Sequence, residues 1–201
     1  MSKITVRHAT ENDNFSQIAL CIYLTDPFIY PSAFGDDQGK ATQAISALMR
    51  LEGNLLHYSN MLVACEDDQI CGTLLYNQFG AQWNETECAS AVKGYVPCLD
   101  SFAFVSKHYF AAEAECPPSN HIEIVACSVL PEFRKKGIAT MMLMNLFNQY
   151  KGKAFTLDVL AGNPAAIALY TKCGFTIEAH TKGFNSDEEA RPDCYRMVRH
   201  K

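Results

Sequence analysis

Long apolar runs are missing from this sequence of 201 residues. Its apolar stretches, such as Ile18–Leu24 and Met141–Met144, are far shorter than the roughly 18 residues that a membrane-spanning helix needs. The first residues, Met1–Arg7, contain neither the apolar stretch nor the small-residue cleavage site of a signal peptide, and they are typical of a strand. These absences predict a cytoplasmic protein that has no membrane partner.

Paired cysteine motifs and an excess of positive charge are also missing. The nine cysteines include no Cys-x-x-Cys pair, which zinc sites commonly contain, and their scattered positions favour reduced thiols. The 17 Lys and Arg against 22 Asp and Glu give a net charge of −5, which argues against a nucleic-acid partner. We therefore expect a protein that binds neither a metal nor a nucleic acid.

The apolar patterns that are present predict an α/β fold formed by a single domain over residues 1–201. In chain order they indicate a strand near Ile4–Val6, a helix from Asn12 or Asn14 to Leu24, a helix at Lys40–Leu51, a hairpin of Met61–Glu66 and Ile70–Asn77, a strand at His121–Val129, a helix at Gly137–Tyr150, a strand at Phe155–Leu160, a helix at Asn163–Cys173, and strands at Phe175–Ala179 and Cys194–Arg199. Proline and glycine interrupt residues 78–120, which we interpret as an insertion between the third and fourth strands. This insertion forms either a substrate-facing lid or a packed structural helix.

A basic turn follows the strand His121–Val129 and leads into the long helix that opens at Gly137. Three cations precede this glycine: Arg134, Lys135 and Lys136. The first turn of a helix leaves about four N–H groups without partners and carries a partial positive charge, so it can bind a pyrophosphate. The turn lacks the glycine spacing of a Walker loop or of a dinucleotide fingerprint. The alternative is a solvated basic cluster ahead of an ordinary helix.

Two motifs resemble the GNAT acetyltransferase family. Arg134–Ala139 resembles its Arg/Gln-x-x-Gly-x-Gly/Ala signature, and Asn163–Phe175 is similar to its Asn-x-x-Ala-x-x-Leu-Tyr-x-x-x-Gly-Phe stretch. The resemblance covers residues 121–178 and extends weakly to Ile4–Leu24 and Met61–Asn77. It implies one domain with a twisted, mixed but mostly antiparallel central sheet flanked by helices. It also implies that acetyl-CoA is the co-substrate.

The resemblance further implies which residues hold coenzyme A. Strand 122–129 is expected to splay from its neighbour, to offer backbone groups to the pantetheine arm, and to supply the Val129 N–H as an oxyanion donor. The alternative is that these groups simply pair within the sheet. The expected cofactor-binding residues are Cys127, Ser128, Val129, Leu130, Arg134, Lys135, Lys136, Gly137, Ile138, Ala139, Thr140, Asn163, Ala166 and Tyr170.

Tyr170 is the expected general acid and Glu123 the expected general base. In the family a tyrosine at the place of Tyr170 often protonates the departing thiolate, although its helical position alone favours a core residue. Histone acetyltransferases carry a glutamate four residues before the position of Cys127, which matches Glu123. Strand alternation places Glu123 and Cys127 on one face if no bulge intervenes. His121 is an alternative base, and Cys127 has no histidine at a spacing that would make it a nucleophile.

These features predict an N-acetyltransferase that moves an acetyl group from acetyl-CoA to a primary amine by direct attack in a ternary complex. The alternatives are a CoA-binding protein without catalysis and an acyl-CoA thioesterase. The acceptor, a small-molecule or peptide amine, is expected to contact Phe28–Gly39, residues 78–120 and Lys182–Asp193. Aromatic and acidic residues in these loops could shape a pocket for a cationic amine: Tyr30, Phe34, Asp36, Asp37, Trp83, Glu85, Glu87 and Tyr95. The oligomeric state stays open, with a homodimer among the options.

Overall fold

The structure is a computed structural model that describes residues 3–81, 83–113, 115–185 and 190–201. The strands are β1 (Ile4–His8), β2 (Met61–Glu66), β3 (Gln69–Asn77), β4 (His121–Val129), β5 (Ala154–Leu160), β6 (Thr176–Thr181), β7 (Phe184–Asn185), β8 (Ala190–Arg191) and β9 (Cys194–Arg199). The helices are α1 (Phe15–Tyr23), α2 (Ile29–Phe34), α3 (Gln38–Leu48), α4 (Glu85–Val92), α5 (Leu99–Val105), α6 (Ala111–Glu113), α7 (Ile138–Gln149) and α8 (Pro164–Lys172).

Seven strands form one sheet in the order β1-β2-β3-β4-β5-β9-β6. Neighbouring strands run antiparallel except for the parallel pair of β4 and β5 at the centre of the sheet. The predicted mixed, mostly antiparallel sheet with flanking helices is therefore confirmed. The segment Lys182–Asp193, predicted as a polar loop, contains a separate ribbon of β7 and β8.

Helices cover the two faces of this sheet with separate apolar clusters. We call the side under α1 to α5 the first face, and it is filled by buried residues such as Ile18, Phe34 and Phe102. The side under α7 and α8 is the second face, and its buried residues include Met142 and Phe175. Burying each side chain of this size contributes about 1.5–3 kcal/mol, so both helical layers are fixed on the sheet by their apolar sides.

Side-chain caps set the beginnings of the helices on the first face. The Asn14 carboxamide accepts the Gln17 N–H and caps α1, which selects one of the two predicted caps. The Asp37 carboxylate accepts the Lys40 N–H, so α3 begins at Gln38, earlier than its apolar spacing predicts. The predicted loop Phe28–Gly39 contains α2, which apolar spacing alone did not reveal.

The segment between β3 and β4 is largely helical. α5 continues through a π-helical turn at Ser106–Phe110 into α6. Phe102 and Phe110 are buried against Phe34 of α2, with ring centroids 5.6 and 5.9 Å away. This part of the chain therefore packs as a structural layer, while other side chains of the same helix reach the cleft described below. No helix in the described ranges has the length and apolarity to cross a membrane.

Candidate active site

A cleft opens where β4 and β5 separate. The two strands pair only from His121 opposite Ala154 to Ile124 opposite Leu157, and then β4 and β5 both continue without pairing to each other. The strands diverge, as the family resemblance implies. The resulting cleft has a volume of about 990 Å³ and is lined from both faces of the sheet. Its size lies at the upper end for ligand sites, so it can hold a cofactor arm and an acceptor together.

The hydrogen-bond pattern of β4 decides which backbone groups face this cleft. The Leu130 N–H donates to the Cys71 carbonyl at 2.9 Å, which makes this an interstrand bonded pair. Bonded and non-bonded pairs alternate in an antiparallel ladder, so Ser128 bonds to β3 while Cys127 and Val129 point away from it. The N–H groups of Cys127 and Val129 therefore point away from β3, and of these two residues Cys127 lines the cleft while Val129 lies outside its lining. Those of Ser128 and Leu130 are used within the sheet.

A β-bulge at Val125 interrupts the pairing of β4 with β3. Ile124 before the bulge and Cys127 after it both pack into the second-face cluster, although an unbroken alternation would place them on opposite faces. Glu123 therefore lies on the first face, opposite to Cys127. The common face expected for Glu123 and Cys127 does not hold, because the bulge intervenes.

Glu123 belongs to a charged cluster on the first face. Arg196 of β9 donates from Nη1 to Glu123 at 2.7 Å, and from Nε and Nη2 to the Asp158 carboxylate at 2.8 and 2.9 Å. Asp158 lines the cleft. Glu123 is not part of the cleft lining, and the Arg196 guanidinium links it to Asp158. The surroundings of Glu123 are thus cationic, not apolar. His121, the alternative base, binds the Asn120 side chain at the start of β4.

The turn after β4 ends in an open helix terminus. A short 3₁₀ turn at Pro131–Phe133 leads to Lys135 and Gly137, whose φ angles of 63° and 78° are left-handed. The first backbone bond into α7 runs from the Met141 N–H to the Gly137 carbonyl at 3.0 Å. The N–H groups of Ile138, Ala139 and Thr140 have no backbone acceptor in the described ranges. Gly137 leaves open space where a side chain would begin.

The three cations of this turn have different partners. Arg134 donates from Nε to the Val129 carbonyl at 2.9 Å, which ties the turn to the end of β4. The Lys136 ammonium lies 2.8 Å from the Glu66 carboxylate and above the Phe133 ring. For Lys135, no ion pair or hydrogen bond occurs within the described part of the chain. The main attraction for an anion is therefore the set of backbone N–H groups, because the Lys136 charge is offset by Glu66.

α8 presents one side to the cleft through residues spaced three and four apart. Asn163 caps the helix by accepting the Ala166 N–H at 3.1 Å, and Asn163, Ala166 and Tyr170 all line the cleft. Asn163 is thus a helix cap and a cleft residue at once. The Tyr170 ring is held edge-on against Phe175 at a centroid distance of 5.7 Å. No described residue hydrogen-bonds to the Tyr170 hydroxyl.

Burial controls the protonation of the two reactive groups in the cleft. It raises the pKa of Tyr170 far above that of an exposed phenol, and the nearby Cys127 and Cys173 thiols raise it further. Burial also raises the pKa of the Cys127 thiol to about 12. Both groups are consequently neutral at physiological pH, so Tyr170 keeps its phenolic proton and Cys127 stays a thiol.

The acceptor side of the cleft differs from the one that the loops predict. Of the predicted aromatic residues Tyr30 lines the cleft, but Phe34 and Trp83 pack in the first-face core and Tyr95 lies elsewhere. The acidic residues that line the cleft are instead Asp26, Asp100 and Asp158. The predicted acidic residues outside this lining are Asp36, Asp37, Glu85 and Glu87. Asp158 could have been found as the polar position that alternates with Leu157 and Val159 on β5.

No group of three or more His, Cys, Asp or Glu side chains that could hold a metal ion occurs in the described ranges. The residues present fit coenzyme A instead, since open helix N–H groups and outward-facing strand N–H groups can bind a diphosphate and an amide-containing arm.

Comparison with known proteins decides the family. The model described as "Acetyltransferase (GNAT) family" matches residues 28–175, well over half of the chain. The chain belongs to this family. GNAT acetyltransferases take acetyl-CoA as co-substrate, so the domain described above is that of an acetyl-CoA-dependent acyltransferase.

Curated relatives match parts of this GNAT chain. An N-alpha-acetyltransferase of Saccharolobus solfataricus is 39% identical over 80 residues, which cover 38% of this chain and 46% of that protein. The human Cysteine-rich protein 2-binding protein is 46% identical over 56 residues, which cover 28% of this chain and 7% of that protein. The match thus spans less than half the length of each of these relatives.

Solved structures share the GNAT fold over nearly the whole chain. An N-acetyltransferase from Staphylococcus aureus Mu50 has a TM-score of 0.65 and 16% identity, covering 96% of this chain and 99% of that one. Naa50 of Arabidopsis thaliana, in complex with the bisubstrate analogue CoA-Ac-MVNAL, has a TM-score of 0.54 and 15% identity, covering 98% and 99%. At these identities the likeness shows the fold alone.

Proposed function

We propose that this protein is an N-acetyltransferase that moves the acetyl group of acetyl-CoA to a primary amine by direct attack in a ternary complex. One observation carries the proposal: the gap between β4 and β5 joins the two faces of the sheet. Asp158 lies at this gap on the first face, and Tyr170 lies at it on the second face. A thioester in the gap would therefore meet an amine from one side and a proton donor from the other.

The cofactor is proposed to bind from the N-terminus of α7 along β4. The diphosphate oxygens would accept hydrogen bonds from the N–H groups of Ile138, Ala139 and Thr140. The positive charge of Lys135 would add to the attraction. The pantetheine arm would then run beside Val129 toward Cys127, and the N–H groups of both residues point away from β3. The group that reacts lies at the far end of this arm, so it would sit closer to Cys127 than to the turn.

We assign stabilisation of the oxyanion to the backbone of β4. The Val129 N–H is the donor expected from the sequence, and the Cys127 N–H points the same way, deeper in the cleft beside Tyr170. One such donor contributes on the order of 3 kcal/mol to the transition state.

Tyr170 is the proposed general acid. Its hydroxyl has no partner in the described part of the chain, so it can turn toward a departing thiolate. The raised pKa of Tyr170 keeps this proton in place at neutral pH. The same desolvation makes a thiolate formed in the cleft more basic, as it does for Cys127, and this offsets the weaker acidity of the phenol.

Asp158 is proposed to accept the proton of the acceptor's ammonium, so that the neutral amine can attack the thioester, and Glu123 is proposed to support it. Asp158 lines the cleft and receives two N–H groups of Arg196, and the same guanidinium binds Glu123. Asp158 is the member that can contact the amine or one bridging water. Glu123, the base expected from the sequence, is proposed to position Asp158 through the guanidinium that binds both carboxylates.

An acyl-cysteine route through Cys127 is disfavoured in this proposal. Its thiol has a pKa of about 12 and therefore contains almost no thiolate at neutral pH. The acetyl group would accordingly pass from sulfur to nitrogen in one transfer, and coenzyme A would leave as the thiol protonated by Tyr170.

The relatives support an amine acceptor and, among amines, a peptide. One curated relative is named as an N-alpha-acetyltransferase, and the Naa50 structure contains an analogue that joins CoA to a peptide. A small-molecule amine remains the other class of acceptor. The proposed compartment is the cytoplasm, which suits the nine free thiols.

The test is the release of coenzyme A from acetyl-CoA with and without a panel of amines. Release that depends on an amine, with acetylated amine formed in equal amount, is expected. Release at the same rate without an amine would identify a thioesterase instead. Binding of CoA without any release would identify a non-catalytic CoA-binding protein.

A further inference from the structure

We propose that the acceptor is a cationic amine that carries a bulky apolar group and no carboxylate near its nitrogen. The inference rests on the proposed transfer function and names the chemical class of its acceptor. It follows from two properties of the cleft, the sign of its charge and the exposure of its aromatic side chains.

Among the side chains that the structure describes, every charged one in the cleft lining is acidic. Asp26, Asp100 and Asp158 line the cleft, and no Lys, Arg or His with a described side chain does. Arg196, which binds Asp158, also binds Glu123, so the positive charge of one guanidinium is shared between two carboxylates. The cleft therefore keeps a negative charge, which attracts an ammonium and repels a carboxylate.

Asp26 is fixed in place by the chain around it. Its Oδ1 accepts the N–H groups of Phe28 and Ile29 at 2.7 and 2.9 Å, at the beginning of α2. Its negative charge is held at the cleft on the side of α1 and α2. Asp100, the second of these acidic residues, comes from α5. An acceptor would thus meet acidic groups from two elements before it reaches Asp158.

Two aromatic side chains of the cleft are left exposed to solvent. Phe28 is 46% exposed and Phe104 is 44% exposed, although both belong to the cleft lining. Buried phenylalanines nearby, such as Phe102 and Phe110, show that the same elements can cover an aromatic ring completely. An apolar group on the acceptor would cover Phe28 and Phe104, and this is the usual meaning of exposed apolar surface within a site.

The helix that carries Phe104 is shaped to face the cleft. Its π-helical turn is closed by the Ala111 N–H and the Ser106 carbonyl, five residues apart. Such a turn rotates the residues that follow it, and both Tyr109 and Phe110 line the cleft. The His108 Nδ1 lies 2.8 Å from the Phe104 carbonyl, which fixes the outer side of the same helix. The aromatic wall is therefore built into a packed helix.

Three amides with the same reacting amine test the effect of side-chain size separately from the effect of side-chain charge. They are phenylalaninamide, alaninamide and the 1-amide of glutamic acid. We expect kcat/KM for phenylalaninamide to exceed that for each of the others by about 10-fold or more, because an aromatic group gains contacts and an acidic group meets like charge. Phe104→Ala and Phe28→Ala should each reduce the preference for phenylalaninamide over alaninamide by about 3-fold or more. Asp100→Asn should improve the glutamic acid amide relative to phenylalaninamide.

Phe79→Ala is the matched control, since Phe79 is 78% exposed and lies outside the cleft lining. It should leave all three kcat/KM values unchanged. The affinity of each variant for CoA should also be unchanged, which checks that the variant is folded. Equal transfer to all three amides, or a preference for the acidic one, would overturn the inference while the transfer function stands. No transfer to any amine by a CoA-binding protein would overturn the proposed function and the inference with it.

Discussion

The proposed cofactor side and the proposed acceptor side of the cleft are built in different ways. The cofactor side consists of two short, continuous stretches, β4 with the following turn and α8, and it offers mainly backbone N–H groups. The acceptor side brings together α2, α5 and the start of β9, which are far apart in sequence, and it offers side chains. Under the proposed function, the chemistry would depend on local backbone geometry and the choice of acceptor on long-range packing.

The largest effect is expected where the two sides meet, at Tyr170. Tyr170→Phe should lower kcat by about 100-fold or more, because it removes the proposed proton donor of the leaving thiolate. The thermal stability and the KM for acetyl-CoA should change little, since the hydroxyl has no partner in the described ranges.

Two further observations sharpen this prediction. Activity of the parent should persist to about pH 10, where an exposed phenol would be half ionised, because burial raises the pKa of Tyr170. Tyr150→Phe is the control, since its hydroxyl bonds to Tyr76 outside the cleft, and kcat should stay at the parent value. A Tyr170→Phe variant with the parent kcat would remove the assignment.

The next effect concerns the cofactor side alone and compares two glycines. Gly137 and Gly152 flank α7 with φ angles of 78° and 82°, and both have open space for a Cβ atom. Alanine at either position should cost about 1–2 kcal/mol of stability, because L-residues disfavour this conformation. Only Gly137→Ala should weaken CoA binding, by about 10-fold or more, since it lies at the proposed diphosphate site. Calorimetric titration that finds equal losses for both variants would contradict this site.

The acidic cluster provides a smaller effect on the acceptor side. Asp158→Asn should lower kcat/KM for the amine by about 10-fold or more, because Asp158 lines the cleft and is the proposed contact of the ammonium. Glu123→Gln should lower it less, since the two bonds of Arg196 to Asp158 remain. Steady-state kinetics over a range of pH distinguishes the two variants. A larger loss for Glu123→Gln would reverse the assignment and restore the base expected from the sequence.

The smallest effect is expected at Cys127. Cys127→Ala should change kcat by no more than about 3-fold, because a thiol with a pKa of about 12 is a poor nucleophile. The initial-velocity pattern should be that of a ternary complex, with intersecting lines in double-reciprocal plots. Parallel lines together with an inactive Cys127→Ala variant would demonstrate a covalent route instead.

Sequence motifs predicted the strand, the turn and the helices of the proposed cofactor side, because these residues are neighbours in the chain. The strand-turn-helix before Gly137 and the cap at Asn163 depend on local preferences that a short stretch encodes. The mixed, mostly antiparallel sheet and the splay of β4 were expected from the family resemblance. The predicted alternation of side chains along β4 is wrong at Val125. The bulge there depends on how β4 pairs with β3, and the sequence of one strand alone does not indicate it.

The residues of the proposed acceptor side could not be predicted from sequence motifs, and the reason is physical. Asp26 and Asp100 meet in the cleft only after α2 and α5 have packed on each other, and no spacing in the sequence reports this contact. We predicted Phe34 and Trp83 as pocket residues because loops rich in aromatic residues resemble binding loops. Their burial in the core became evident only from the tertiary structure.

The short ladder between β4 and β5 has a mechanical consequence. In the described sheet, the ladder between the half that contains β1 to β4 and the half that contains β5, β9 and β6 is four residue pairs long. A pantetheine arm with its own amide groups could occupy the empty end of that seam and act as a surrogate strand. The ligand would then complete the sheet, and its departure after each turnover would leave the two halves freer to hinge.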